Sequence, residues 1–245
     1  MLKRVFLAVS LILVVALSAT ACYFPGFSNV RGNGNVIEQE RDVRGFSEVA
    51  LGGFGDLHIV LGEREELVIV AEENLLRYIE TDVRGDALHI DTRRGVSINP
   101  SKSIDYYLTV TELSGVRVSG LGQIKAPALD ARSFRVEISG AGDVEIDALN
   151  ADRLDVAISG LGGLDIGGGF VERQSVDISG SGNYDARRME SLEADVAISG
   201  LGSMTVWASE QLDAAISGSG SITYVGSPSI SQSVSGLGRV KPAAD

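Results

Sequence analysis

One cysteine, one tryptophan and two histidines in 245 residues leave few of the side chains on which metal and redox chemistry depend. A single thiol, Cys22, excludes an intrachain disulfide framework. His58 and His89 both fall in alternating, strand-like segments, and no Cys/His cluster has zinc spacing. Only five prolines stand against thirty glycines, which excludes a proline-rich linker and indicates many tight turns. Basic residues are in the minority, 21 against 33 acidic, for a net charge of −12. Such a surface repels phosphate backbones, which argues against nucleic acid as a partner. The glycine clusters Gly160-Leu161-Gly162-Gly163 and Gly167-Gly168-Gly169 carry no Gly-Lys-Ser/Thr, so they do not form a phosphate loop. No cofactor and no catalytic residue are expected.

Long apolar runs are missing too, except at the start. Lys3 and Arg4 precede an apolar stretch from Val5 to Leu17, interrupted only by Ser10. The small residues Ser18-Ala19-Thr20-Ala21 then lead directly to Cys22, the layout of an export signal. The segment resembles the lipobox of bacterial lipoproteins, with Ala19 where that motif usually has leucine. The resemblance implies cleavage before Cys22, lipidation of its thiol and new N-terminus, and the membrane as a partner through the lipid anchor. An ordinary cleaved signal with an incidental cysteine is the alternative. Residues 1–21 are read as signal peptide and 22–35 as a lipidated tether.

What the chain has in abundance is repetition. Ser-Gly-x-Gly begins at Ser119, Ser139, Ser159, Ser179 and Ser199, every 20 residues, then at Ser217 and Ser235 at intervals of 18. Each copy sits in period-2 sequence, the mark of a strand with one buried face. Phe134, Val136 and Ile138 alternate with Arg135, Glu137 and Ser139, and Val144 and Ile146 continue the parity beyond the glycines. Polar turns such as Asn150-Ala151-Asp152 close the unit. Alternation excludes a helical repeat, and a propeller blade needs about 40 residues. The prediction is all-β: a right-handed parallel β-helix or solenoid of about 20-residue coils over residues 113–241. The repeat serines recur as a ladder, so none is singled out as a nucleophile. The inward glycines mark sharp corners or close backbone approach.

Residues 36–112 read as a less regular N-terminal β unit that caps the solenoid. Strands are expected at Phe46–Leu51, Asp56–Leu61, Leu67–Ala71, Leu88–Thr92 and Ile104–Thr111, with a helical turn within Glu73–Glu80. Gly52-Gly53-Phe54-Gly55 looks like a degenerate repeat. Arg239, Lys241 and Pro242 blunt the other end. The segments Gly32-Asn33-Gly34-Asn35, Asp42-Val43-Arg44-Gly45-Phe46 and Glu73-Asn74-Leu75-Leu76 to Ile79-Glu80-Thr81, with the Ser-Gly-x-Gly ladder, resemble the head-GIN domain family of adhesin-like bacterial envelope proteins. The resemblance spans Gly32 to Lys241. It implies a β-helical fold, often on lipoproteins, but transfers no activity and no site.

Two outward columns are the candidate sites. Glu145, Asp165 and Asp185 recur at 20-residue steps, following Lys125 and followed by Thr205. Solvated surface charge is the plain reading; calcium, or acid/base groups of a β-helical carbohydrate-acting enzyme, are the sharper ones. Leu121, Leu161, Leu201 and Leu237 fall between the paired glycines at alternate coils, with Ala141, Ser181 and Ser219 between them. They form an apolar stripe open to a partner subunit, to an envelope protein or to the chain's own first half, and intramolecular cover is the expectation. Trp207, of outward parity, is a lone aromatic for sugar stacking. The resulting function is a non-enzymatic lipid-anchored envelope protein presenting a rigid β surface for adhesion, assembly or signalling. The alternative is a carbohydrate-acting enzyme or polysaccharide-binding module.

Overall fold

Alternating sequence becomes stacked coils. The structure, a computed structural model, describes residues 28–244. Strand accounts for 65% and helix for 2%, and the coils stack in parallel for about six turns, a β-solenoid. Strands are numbered along the chain. One wall stacks β10 (Gly115–Val118), β12 (Leu129–Ile138), β14 (Leu149–Ile158) and β16 (Gly169–Ile178). It continues through the second parts of β17 (Asn183–Ile198) and β18 (Ser203–Gly218) to β20 (Ser229–Gly236). The other wall stacks β11 (Ile124–Ala126), β13 (Val144–Ile146) and β15 (Gly163–Ile166) on the first parts of β17 and β18. It ends in β19 (Ser221–Val225) and β21 (Arg239–Pro242).

Register sets the core. Ile90, Leu51, Val118, Ile138, Ile158, Ile178, Ile198, Ile216 and Val234 form one continuous column. All but Val234 are buried, each contributing about 2 kcal/mol before chain entropy is subtracted. Leu57, Ile124, Val144, Leu164, Tyr184, Met204 and Ile222 form the facing column, also buried. The corner glycines have a different role. A Cβ on Gly160 or Gly162 would collide with the carbonyl oxygen of Gly140 or Gly142 in the coil before it. Neither has a positive φ, so close backbone approach, not a left-handed turn, requires glycine there.

The capping end is built as expected in outline and differs in detail. β3 (Glu48–Leu51) and β4 (Asp56–Leu61) make a first coil on β10 and β11, with Gly52–Gly55 as its corner. β7 (Ala87–Thr92) and β9 (Asp105–Val110) stack on that coil in parallel. Pairing then turns antiparallel, with β5 (Glu66–Glu72) on β9, β2 (Val36–Arg41) on β5 and β6 (Ile79–Arg84) on β7. Only Glu73–Leu76 of the expected helical turn is helix (α1), and β6 takes over at Ile79. Phe46 is buried but precedes its strand. β2 escapes the sequence pattern because it is exposed almost throughout, leaving no alternation to read. Part of the segment read as a tether is folded: β1 (Ser28–Arg31) pairs in parallel with β8 (Val96–Asn99).

Candidate functional site

The Ser-Gly-x-Gly corner packs glycine against glycine and leaves x nowhere to point but outward. Leu121, Leu161, Leu201 and Leu237 are accordingly 63%, 69%, 69% and 83% exposed. Intramolecular cover, the expectation from sequence, does not occur among the described residues. The first half stacks end-on beneath the repeats and does not fold over this corner. Leucines two coils apart stand about 10 Å from one another, with Ala141, Ser181 and Ser219 as gaps. The N–H of Leu121 donates to the Gly53 carbonyl at 3.3 Å, so Phe54 heads the same column, 38% exposed. The glycine-for-serine corner at Gly52 was the signal for this extra member. The repeat serines flank the row, giving an uncharged comb on an otherwise charged molecule.

The carboxylate column forms in the expected register: Glu145 beside Asp165, and Asp165 beside Asp185. Each has its own cation. Lys125 lies 3.8 Å from Glu145, Arg188 3.9 Å from Asp165 and Arg187 2.6 Å from Asp185. Partial burial would raise the Asp185 carboxyl, but the Arg187 guanidinium and N–H outweigh it and hold the group below the usual carboxylate range. Stacked like charges are thus neutralised by side chains. Among the described residues no three His, Cys, Asp or Glu side chains are grouped to hold a metal ion. His58 stacks on Tyr107 with centroids 5.1 Å apart and lies 3.6 Å from Asp105, a surface-strand arrangement. Trp207 is half-buried. Cys22 lies outside the described residues.

Two polar sites were not singled out from the sequence. Glu72 has no exposed surface, and its carboxylate accepts hydrogen bonds from the Ser101 hydroxyl at 2.6 Å and the Ser101 N–H at 2.7 Å. The N–H groups of Gly34 and Lys102 also donate to it. The Ser101 hydroxyl does most to lower the carboxyl, burial opposes it, and the backbone donors bring it to about 2. A side chain on Gly32 would occupy the space of this carboxylate. Asn74 donates to the Arg31 carbonyl at 2.8 Å and accepts from the Asn33 N–H at 3.0 Å. The Gly32–Asn35 and Glu73–Asn74 motifs therefore meet in a lock that fastens β1 to the cap.

The second site is Gln174, inward and buried between Leu154 and Ala194. Its carbonyl accepts from the Tyr184 hydroxyl at 2.8 Å, and its amide donates to the Ser191 hydroxyl at 2.8 Å. Ser191 Oγ in turn donates to the Trp207 carbonyl at 2.7 Å. The network sits where coils shorten. The β17–β18 offset falls from 20 at Asp185/Thr205 to 17 at Glu190/Trp207, then settles at 18 at Glu193/Gln211. Ladder bonds lapse at such a shift, and the side chains satisfy the carbonyls left over. An inward-parity glutamine among aliphatics was the available signal.

A family model described as "putative auto-transporter adhesin, head GIN domain" matches residues 45–228. No curated relative matches the sequence. Among solved structures, a "putative adhesin" from Bacteroides fragilis is 25% identical with a TM-score of 0.83, covering 87% of this chain and 100% of that one. A "putative lipid binding protein" from Parabacteroides distasonis is 24% identical with a TM-score of 0.69, covering 89% and 100%. A "putative adhesin" from Parabacteroides merdae, 22% identical, has a TM-score of 0.68 and covers 89% and 100%. The last two show the fold alone. With the family match running from Gly45, just before β3, to Pro228, just before β20, and the glycine-cornered solenoid beneath it, the chain belongs to the head GIN domain family.

Proposed function

We propose that the protein is a non-enzymatic, lipid-anchored component of the cell envelope that presents a rigid β wall for adhesion. The observation that carries this reading is the comb of Leu121, Leu161, Leu201 and Leu237, apolar, uncharged and exposed along the whole stack. Monomeric proteins seldom leave aligned apolar residues in water, and such rows mark interaction surfaces. The rigid register beneath it fixes the spacing, so a partner meets a preformed surface and loses little ordering entropy on the protein's side. Family membership supports an adhesive role at the envelope or outside it. The export-type segment ending at Cys22 supports lipid anchoring. Among the described residues no helix is long and apolar enough to cross a membrane.

Two experiments test this. A photoreactive residue at Leu161 in living cells should give a discrete cross-linked product. The same residue at Asp177, exposed on the wall of the next coil, should give none; products at neither site, or equally at both, overturn the comb as a binding surface. For the anchor, Cys22→Ser should abolish palmitate labelling and release the protein from the membrane fraction. Retained label would refute lipidation at that thiol.

A further inference from the structure

Among the described residues four strands of the large sheet pair on one side only: β2, β6, β20 and β21. Open edges template pairing with other chains, and proteins blunt them with charge or proline. β2 reads Val-Ile-Glu-Gln-Glu-Arg, β6 Ile-Glu-Thr-Asp-Val-Arg and β21 Arg-Val-Lys-Pro, so three edges are blunted. β20 is not. Its eight residues, Ser229 to Gly236, hold no charge and no proline. Ile230 and Val234 continue buried columns under Leu212 and Ile216 yet are 41% and 44% exposed, because no described residue lies beneath them.

We propose that β20 is a homodimer interface, in which two copies of this chain pair β20 with β20 antiparallel across a two-fold axis. This goes beyond the adhesive comb and uses a different face. The sequence of the strand carries the choice of partner. Ser229-Ile230-Ser231-Gln232-Ser233-Val234-Ser235 reads nearly the same in both directions about Gln232. Antiparallel pairing centred there sets Ile230 against the second copy's Val234 on the core side. It sets serine against serine on the outer side and joins the two Gln232 amides at the axis. A slip of one residue turns core side chains against outward ones, and a slip of two sets Ile230 against Gln232. A foreign strand would need only the alternation; the palindrome is used only by a copy of the same strand, as an isologous contact requires. Charge agrees. β20 itself holds no Asp or Glu, in a chain of net charge −12, so the two paired strands bring no carboxylates of their own against each other. The new strand continues the ladder that already joins β18 to β20.

The test uses the full chain in a mild detergent with Cys22→Ser as background. Oxidation of Gln232→Cys should give a species of twice 25.8 kDa on a denaturing gel. Ser181→Cys, exposed on the comb, should give little. A mixture of Ser231→Cys and Ser233→Cys proteins should cross-link to each other better than either does to itself. Adding Ser231→Lys and Ser233→Lys to Gln232→Cys places like charges opposite one another twice, and should cut dimer yield roughly ten-fold. Mixing that protein with the corresponding double aspartate variant should restore it, which a misfolded variant would not do. Cross-linking of Gln232→Cys no greater than of Ser181→Cys overturns the proposal, as does yield indifferent to the lysines. A dimer captured through Ser181→Cys instead would assign self-association to the comb.

Discussion

Ile178 and Asp177 are chain neighbours with opposite fates. Ile178 is buried between Ile158 and Ile198, while Asp177 is exposed. Ile178→Asp should cost on the order of 4 kcal/mol, because it strands a carboxylate in the column. Asp177→Ile should change stability by less than about 0.5 kcal/mol. Denaturant midpoints read the contrast, and equal effects would contradict the burial pattern. Glu72 answers to pH. Its folded carboxyl sits at about 2 against an ordinary 4.5, so its contribution is fully present above 4.5 and is lost as pH falls toward 2. Melting temperature of the wild type should therefore drop through that window more steeply than that of Glu72→Gln, and parallel curves would remove the carboxylate's role. The inward isoleucines were legible because period-2 alternation is a local signal. Glu72 was not, since its donors come from residues 34, 101 and 102, far away in sequence.

Elements carry the second kind of information, and here the repeat was both guide and blind spot. Twenty-residue spacing located the long stacked strands and both outward columns. Three things had to be seen: exposed β2, the antiparallel turn of the cap, and the place between Asp185 and Glu193 where β17–β18 absorb the change of spacing from 20 to 18 that the serines already displayed. Gln174 and Tyr184 hold that last transition. Tyr184→Phe leaves the Gln174 carbonyl without its donor, and Gln174→Leu leaves the Tyr184 hydroxyl unpaired and buried, each costing about 1–3 kcal/mol. The double variant should cost less than the sum, since both partners leave together. Strict additivity in a denaturant double-mutant cycle would show that the hydrogen bond contributes nothing. Burial already pushes the Tyr184 phenol above its ordinary range, so the hydroxyl stays protonated at any pH used.

At the scale of the whole molecule, each coil touches only its neighbours, and stability is a sum of coils and interfaces. Ending the chain after Val225 removes β20 and β21 but no central contact. Such a protein should keep most of its β circular dichroism and lose the Gln232-centred association. Complete unfolding would contradict nearest-neighbour stacking.

The same stacking makes direction matter under load. The ladders between coils run along the stack, so a pull between its two ends crosses every ladder in turn, like links of a chain. The tension is the same in each link, and the first to open is the weakest, not the one nearest the force. The junction held by the β10–β12 and β11–β13 ladders, of four and three residue pairs, is a weaker link than the next one, held by β12–β14 and β13–β15 with nine and three. A sideways pull on the comb instead loads many ladders at once and divides the force among them. The stack is thus strongest when gripped broadside along its leucines, and yields coil by coil when drawn out from its end.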